Sequence, residues 1–406
     1  MADKVIKDNV IFHIDVNSAF LSWTAVKLLK EGYPVDLREV PSIIGGDQES
    51  RHGIVVAKSI PAKKYGIKTA DTVASALSAC PSLVVVPPEH NYYREQSKLL
   101  MEHLRSFCPV IEQVSVDECY MDYEPIKEKY ESPETAANII KDSVRENFGF
   151  TVNVGISNKK VLAKMASDFK KPDLVHTLYD YEIKEKMWPL PIGDLFMCGK
   201  SSANFLRGRG INTIGDLANT DVKLVESWLK SHGRMLHNFA NGIDNSRVEP
   251  IREAAKGVGN STTLSSDIVL ESEAFNILRE LSSSVAKRLN KQQKLAGQVS
   301  IEIKYSDFKS VSHQTTIPSP TFDSKEIYEI SCELFRELWN GNPIRLLGVR
   351  TTKLSDVNEP VQMDIFSYQR VKEKDDKQRK ADDAMKSIKN KFGDGAISKG
   401  SEFINS

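Results

Sequence analysis

Three acidic residues constrain this chain most, because they stand where two expected strands end or turn. Asp15 closes the apolar segment 10–15 (VIFHID), and Asp117 and Glu118 lie side by side in segment 114–122 (VSVDECYMD). If the two segments are neighbouring strands, the three carboxylates converge at one edge of a sheet. Their mutual repulsion then requires divalent cations or protonation. The pattern therefore predicts a metal site built on a sheet.

Hard, oxygen-only ligation favours magnesium over zinc, and we expect no His or Cys near the site. Two such ions about 3.5 to 4 Å apart can activate an attacking oxygen and stabilise a leaving phosphate oxygen. Phosphoryl transfer is the chemistry that this arrangement favours. Taken in isolation, Asp15 is better explained as a helix-capping carboxylate, and Asp117 with Glu118 as an exposed turn.

Length and charge narrow the class of protein. A chain of 406 residues exceeds what one hydrophobic core usually supports, so about two to four domains are expected. The 55 basic and 55 acidic residues cancel, so any contact with DNA must be local. No apolar run approaches the roughly 20 residues that span a bilayer, and the N-terminus lacks the features of an export signal. We expect a cytoplasmic protein with reduced cysteines and no membrane segment.

The pattern of apolar residues predicts an α+β catalytic domain. Segment 10–15 is a buried strand followed by an amphipathic helix, and segment 151–156 alternates as a half-buried strand before a second helix. Segments 114–116 and 119–123 are expected to form the arms of a hairpin that carries the acidic pair at its tip. These elements predict a ferredoxin-like sheet with helices on one face.

Two further regions follow along the chain. Between residues 190 and 245 only short helical patterns occur, and residues 198–217 resemble a helix-hairpin-helix, whose glycine turn points backbone N–H groups at a DNA phosphate. Gly199 and Lys200 lie in this turn, but Met197 stands where the first glycine of the hairpin usually falls. A plain helical domain is therefore the alternative interpretation.

The region from 246 to 354 predicts a second α+β domain. Segment 299–305 (VSIEIKY) alternates with the period of two that is typical of a strand, and segment 344–354 closes the domain. From residue 355 the chain becomes highly charged, which is typical of a surface helix or a tail without a core of its own.

Taken together, these motifs make the chain similar to a Y-family DNA polymerase, the translesion class that includes bacterial DNA polymerase IV-like and UmuC-like members. The resemblance covers roughly residues 10–354. Four motifs occur in the family's order: DVNSAF at 15–20, SVDE at 115–118, VGISNKKVLAK at 154–164 running to Lys171 and Pro172, and the glycine-turn region. Any one motif can arise by accident, but four in order rarely do. The later segment KGVGNSTT at 256–263 resembles the opening of that family's little-finger domain.

The resemblance implies a multidomain right-hand polymerase with a ferredoxin-like palm, small fingers, a helical thumb that holds the helix-hairpin-helix, and an α+β little finger. The implied boundaries are 1–23 and 84–178 for the palm, 24–83 for the fingers, 179–245 for the thumb, 246–354 for the little finger, and 355–406 for a charged tail.

The resemblance also implies the catalytic residues. Asp15, Asp117 and Glu118 would bind two magnesium ions, and the carbonyl of Val16 would join the ion that holds the triphosphate. One ion would lower the pKa of the primer 3′-hydroxyl for attack on the α-phosphate, and the other would hold the triphosphate and the departing pyrophosphate.

Other positions would bind the incoming nucleotide. Phe20 matches an aromatic gate that clashes with a ribose 2′-hydroxyl, although without its flanking motif it would read as a core residue on an amphipathic helix. Lys171 matches the lysine that reaches the triphosphate. Lys63 replaces the usual arginine and Ile60 the usual aromatic residue, while Ala57 lacks the usual hydroxyl. We expect weaker nucleotide binding from these departures.

The implied partners are primer–template DNA, deoxyribonucleoside triphosphates and the bacterial sliding clamp, which would bind an extended peptide through Gln362, Ile365 and Phe366. We expect a monomer. Two other functions stay open: a catalytically silent DNA-binding relative, which the intact acidic trio disfavours, and a nucleotidyl cyclase. The glycine turn and the second α+β domain favour a protein that binds DNA over a cyclase.

Overall fold

The structure is a computed structural model that describes residues 9–46, 53–251 and 254–358. The chain divides into two compact units, Met1–Glu253 and Ala254–Ser406. The finer division into palm, fingers, thumb, little finger and tail stays a prediction. Among the described residues, no helix is long and apolar enough to cross a membrane.

The first unit contains both strands and helices. Its strands are β1 (Ile11–Val16), β2 (Ser42–Gly45), β3 (Val55–Lys58), β4 (Val84–Val86), β5 (Ile111–Gln113), β6 (Glu118–Asp122), β7 (Val152–Ser157) and β8 (Val175–Thr177). Its helices are α1 (Ala19–Lys30), α2 (Ile60–Lys63), α3 (Val73–Ala79), α4 (His90–Phe107), α5 (Pro133–Phe148), α6 (Lys160–Ser167), α7 (Lys200–Arg207), α8 (Ile214–Ala218) and α9 (Val222–Ala240).

A five-stranded sheet of order β5-β6-β1-β7-β8 forms the centre of the first unit. The central strand β1 is buried along its whole length and pairs antiparallel with both β6 and β7. Phe12, Ile14 and Val16 project from one face of β1 into a core that includes side chains of α1, α4 and α5. The predicted strand 10–15 and the mixed α+β fold are thus confirmed.

The opposite face of this sheet is also covered, contrary to the expectation of helices on one face. Helix α6 packs against β1 and β7, and Ala163 contacts Ile11 and Tyr120 there. Because side chains alternate along a strand, His13 and Asp15 share this second face with Ile11. Helix α6, which follows the strand at 151–156, therefore covers the face of β1 that carries His13 and Asp15.

The predicted hairpin exists, and its second arm overlaps the expected segment 119–123, but its first arm lies elsewhere. Strand β5 spans Ile111–Gln113 rather than 114–116, and its partner β6 begins at Glu118. The N–H groups of Val114 and Ser115 both point to the carbonyl of Glu118, which closes the turn. Asp117 thus lies in the turn, whereas Glu118 is the first residue of a strand.

Two smaller parts complete the first unit. A three-stranded sheet of order β3-β2-β4 carries α2 and α3, with Ile43, Val55 and Val73 in its core. Farther along the chain, α7, α8 and α9 pack around Leu206, Leu217 and other apolar side chains. Helix α9 is interrupted at Lys230, whose φ of 57° and ψ of −140° are not helical.

The second unit is a four-stranded sheet with two helices. Its elements are β9 (Gly257–Ile268), α10 (Glu271–Lys291), β10 (Lys294–Tyr305), β11 (Ser310–Thr321), α11 (Ser324–Leu338) and β12 (Ile344–Asp356). The strand order is β11-β10-β12-β9, all antiparallel. Both helices pack on the core of this sheet. The strand expected at 299–305 is confirmed within β10, and β12 occupies the segment that was expected to close the domain.

Candidate active site

Two of the predicted acidic residues lie on neighbouring strands. In the antiparallel pairing of β1 with β6, Asp15 is the register partner of Glu118. The backbone N–H of Val16 donates to the carbonyl oxygen of Asp117 at 3.0 Å, so the turn residue is attached to the end of β1. Sheet pairing therefore brings Asp15, Asp117 and Glu118 to one edge of the central sheet.

Two lysines neutralise part of this negative charge. Lys171 Nζ lies 2.6 Å from Asp15 Oδ2 and 2.9 Å from Asp168 Oδ1. Lys164 Nζ, from α6, lies 3.0 Å from Glu118 Oε2 and 3.6 Å from Asp15 Oδ2. Although burial lowers the pKa of Lys164, the surrounding carboxylates raise it above its ordinary value. Both lysines therefore remain charged and hold Asp15 between them.

A buried histidine also faces the acidic edge. His13 is 1% exposed; its Nε2 lies 3.4 Å from Glu118 Oε2 and its Nδ1 lies 2.8 Å from Ser167 Oγ. Burial lowers the pKa of His13. The contact with His13 is the main reason that the pKa of Glu118 is lowered to about 2, and Lys164 adds to it. The expectation of no histidine near the site is thus wrong for the surroundings of Glu118.

Asp117 differs from Glu118 in its surroundings. Ser115 Oγ donates to Asp117 Oδ1 at 2.5 Å and accepts from the N–H groups of Asp117 and Glu118. Burial raises the pKa of Asp117; the bond from Ser115 opposes this shift, and the charges of Asp15 and Glu118 add to it. A carboxylate that other carboxylates disfavour in its charged form is one that a cation would stabilise.

The donor set fits a hard divalent cation by its chemistry: three carboxylates and the carbonyl oxygen of Val16. In residues 9–46, 53–251 and 254–358, however, no group of three or more His, Cys, Asp and Glu side chains is arranged to hold a metal ion. Asp15 and Glu118 are instead directed at Lys164 and Lys171. The fit to a cation therefore rests on the strand register and on Asp117, whose charged form a cation would stabilise. The side chains of Asp15 and Glu118 would have to turn away from the lysines to bind the ion.

Two cavities collect the residues expected to bind a nucleotide. One of about 160 Å³ is lined by Ile60, Lys63 and Lys171, together with Asn17 and other polar groups. The second cavity, of about 270 Å³, is lined by Phe20, Lys63 and Asp117, together with Lys58 and five other residues. Lys63 lines both, so the aromatic ring, the lysines and one carboxylate lie within one continuous neighbourhood.

The glycine turn lies before α7. Gly199 is the N-cap residue of that helix, with φ −65°, and Lys200 is its first residue. A Cβ atom added at Gly199 would meet nothing within 4 Å, so the turn is open to an approaching group. Met197 has a φ of 67° and is 54% exposed, so it adopts the left-handed conformation that the missing glycine would take.

Sequence reasoning missed several residues that shape the site. His13 precedes Asp15 by two positions, and the alternation of a strand already places both on one face. Asn153, the register partner of Asp15 in β7, is fully buried, and its Nδ2 donates to the carbonyls of Ser167 and Lys170. Asn153 thereby fixes the loop that carries Lys171, and no sequence signal marked it. The peptide Gln362–Phe366 lies outside the described residues.

Comparison with known proteins agrees with this geometry. A family model described as the impB/mucB/samB family matches residues 14–168, and the model of that family's C-terminal domain matches residues 255–365. DNA polymerase IV of Clostridium acetobutylicum is 45% identical over 388 residues, which cover 96% of this chain and 96% of that protein. DNA polymerase IV 1 of Bacillus subtilis is 36% identical over 396 residues, covering 97% and 93%.

A solved structure shows the same fold. It is a Y-family DNA polymerase chimera that superposes with a TM-score of 0.72 at 21% sequence identity, and the match covers 86% of this chain and 99% of that chain. Identity this low supports the fold alone, whereas the relatives that match over nearly the whole chain show the family. The chain therefore belongs to the impB/mucB/samB family, the Y-family DNA polymerases of the DNA polymerase IV type.

Proposed function

We propose that this chain is a template-directed DNA polymerase that adds deoxyribonucleotides to a primer 3′-hydroxyl and works across damaged templates. The pairing of Asp15 with Glu118, beside a cavity lined by Phe20, Lys63 and Asp117, carries the proposal. An acidic sheet edge next to a cationic cavity with an aromatic wall suits phosphoryl transfer from a nucleoside triphosphate. The relatives named DNA polymerase IV support the same reaction.

Asp15, Asp117, Glu118 and the carbonyl of Val16 would hold two magnesium ions. Bound magnesium supplies electrostatic stabilisation of the phosphates and lowers the pKa of the primer hydroxyl. Lys171 is close enough to Asp15 to balance its charge, and it lines the same cavity as Lys63. Both ammonium groups would bind the triphosphate, and the ring of Phe20 would exclude a 2′-hydroxyl.

Primer extension tests the reaction. We expect the wild-type chain to extend a primer on a DNA template in the presence of magnesium, and Asp117→Asn or Glu118→Gln to reduce the rate at least about a hundredfold. Glu146→Gln removes a charge from the exposed face of α5 and serves as the matched control. Cyclisation of a nucleoside triphosphate without primer would instead indicate a cyclase.

A catalytically silent DNA-binding protein is the second candidate. The contacts of Lys164 and Lys171 with Glu118 and Asp15 favour it, because lysines can neutralise a carboxylate cluster permanently. A silent protein would bind primer–template DNA but leave the primer unextended at every magnesium or manganese concentration. Extension that depends on Asp117 would exclude it.

DNA contact is proposed at Gly199 and Lys200. Backbone N–H groups at the start of α7 would bind a phosphate without reading sequence. Gly199→Ala adds a methyl group that would meet no protein atom within 4 Å, so the thermal midpoint should stay constant. The methyl group would collide with a bound DNA phosphate, so the affinity for DNA should fall. Gly208→Ala, at the other end of α7 with φ −61°, is the control for the added methyl group.

Clamp binding is proposed for the peptide that contains Gln362, Ile365 and Phe366. An extended segment of this kind would place Ile365 and Phe366 in a hydrophobic pocket of the clamp. Phe366→Ala should abolish stimulation of synthesis by a bacterial sliding clamp, whereas Met363→Ala should retain it. Stimulation that survives Phe366→Ala would remove this part of the proposal.

The small sheet of β2, β3 and β4 suggests a loosely enclosed site and low-fidelity synthesis. Extension of a primer past defined lesions, scored against an undamaged template, tests this property.

The departures at Ile60 and Lys63 predict weak nucleotide binding, so Ile60→Tyr and Lys63→Arg should lower the nucleotide KM. We also expect a cytoplasmic monomer, which light scattering and cell fractionation would check.

A further inference from the structure

Lys58 is a basic residue at the nucleotide cavity that neither the sequence motifs nor the family match assigns to a role. It ends β3 and lines the cavity of about 270 Å³ together with Phe20, Lys63 and Asp117. Its side chain is therefore placed between the small sheet and the acidic edge, where the reacting part of a nucleotide would lie.

The ammonium group of Lys58 lacks an anionic partner within the part of the chain that the structure describes. Its Nζ donates to Thr69 Oγ1 at 3.2 Å, and no described carboxylate lies within ion-pair distance of it. Burial lowers the pKa of Lys58, the charge of Lys63 lowers it further, and Asp71 acts weakly in the opposite sense. Two lysines thus line one cavity, and Lys58 has no ion-pair partner among the described residues, which is an arrangement that suits an anion.

The sheet geometry keeps Lys58 in place. Ile43 is the register partner of Lys58 and is fully buried, so the backbone of this strand end is anchored. The next residue, Ser59, caps α2 through a bond from the N–H of Ala62, and α2 ends at Lys63. The spacing between Lys58 and Lys63 is therefore set by a strand end and one short capped helix.

We propose that Lys58 is a nucleotide-binding residue that shares the triphosphate of the incoming nucleotide with Lys63. This inference rests on the proposed polymerase function and identifies part of its substrate site. A polyanion between two ammonium groups removes their mutual repulsion and forms charge-assisted hydrogen bonds to both. Lys58 would also supply positive charge to a site in which Ala57, Ile60 and Lys63 replace the family's usual residues.

Steady-state kinetics with each of the four deoxyribonucleoside triphosphates tests the proposal. Lys58→Ala should raise the KM about tenfold for all four nucleotides and leave kcat within about twofold, because a uniform loss of ground-state binding raises KM alone. Lys58→Arg should restore most of the affinity. Lys64→Ala is the matched control: Lys64 is exposed next to Lys63 and does not line the cavity.

Inorganic tripolyphosphate separates this proposal from the polymerase assignment, because it probes the anion site without base, sugar or primer. Calorimetric titration of the wild-type chain should detect binding that weakens about tenfold in Lys58→Ala and remains in Lys64→Ala. If no primer is extended but this difference appears, the polymerase function fails while the anion site stands. An unchanged KM and an unchanged tripolyphosphate affinity overturn the proposal, and so does a KM rise confined to one nucleotide, which indicates contact with a base.

Discussion

The ring of Phe20 stacks on the ring of Tyr93, with centroids 4.6 Å apart and planes inclined by 13°. Tyr93 is 1% exposed, and its hydroxyl lies 2.9 Å from Thr24 Oγ1, one turn along the helix that carries Phe20. A half-buried aromatic ring fixed in this way cannot easily move aside for a larger ligand. The stacking would therefore keep this ring rigid at the cavity wall, as the proposed gate requires.

Replacing Phe20 should relax the choice of sugar. Phe20→Ala removes the ring, and we expect ribonucleotide incorporation relative to deoxyribonucleotide incorporation to rise at least about tenfold, or ~1.4 kcal/mol. The measurement is kcat/KM for both substrates in primer extension. Phe20→Tyr retains the ring and serves as the control. Equal ribonucleotide use by wild type and Phe20→Ala would refute the gate.

Gly155 sets the distance between α6 and the central sheet. A Cβ atom at Gly155 would lie 2.0 Å from the carbonyl oxygen of Ala163 and 2.5 Å from the backbone nitrogen of Ser167. Gly155→Ala should therefore lower the free energy of unfolding by about 3 kcal/mol or more, measured in urea. Gly199→Ala, where the added methyl group meets nothing, should cost less than about 0.5 kcal/mol. Equal stability of the two variants would contradict this packing.

Met197 holds a backbone conformation that suits glycine. The left-handed region costs a side-chain-bearing residue about 1–2 kcal/mol, whereas glycine loses about 0.5–1 kcal/mol of chain entropy. Met197→Gly should therefore raise the free energy of unfolding by about 0.5–1 kcal/mol, measured as a higher urea midpoint. Met197→Ala keeps a Cβ atom at the same φ and should bring no such gain. A loss of stability in Met197→Gly would show that the Met197 side chain stabilises the fold by more than its left-handed backbone conformation destabilises it.

His103 should make stability depend on pH. Its Nε2 lies 2.9 Å from Ser143 Oγ between α4 and α5, and burial lowers its pKa below the ordinary value of 6.5. Because the unfolded chain then binds the proton more readily, this contribution is complete above pH 6.5 and is lost as the pH falls toward the lower folded pKa. His103→Gln should flatten the decline in unfolding free energy between pH 7.5 and 5.5.

The control for this pH dependence keeps the imidazole. Ser143→Ala removes the hydroxyl that faces His103 but retains the titrating group, so the decline with falling pH should persist. A decline of the same slope in His103→Gln and wild type would assign the pH dependence to other groups.

Local periodicity in the sequence was sufficient for the elements that carry the acidic residues. A run of apolar residues ending in Asp15 predicts a buried strand, and β1 is buried throughout. Alternation in 299–305 predicts a strand that forms the C-terminal half of β10. The first arm of the hairpin lies three residues before its predicted position, because Val114 and Val116 suit a strand as well as Ile111 does, and only the pairing of Ile111 with Met121 decides between them.

The sequence by itself thus determined which residues are acidic, apolar or glycine, and hence the strand that carries Asp15, the order of the motifs and the family. Tertiary structure decided what those residues contact. The partnership of Asp15 with Glu118, the approach of Lys164 and the position of Lys58 all join segments far apart in the chain. Such contacts depend on which strand lies in the centre of the sheet and on the face that α6 covers, and no local pattern encodes either.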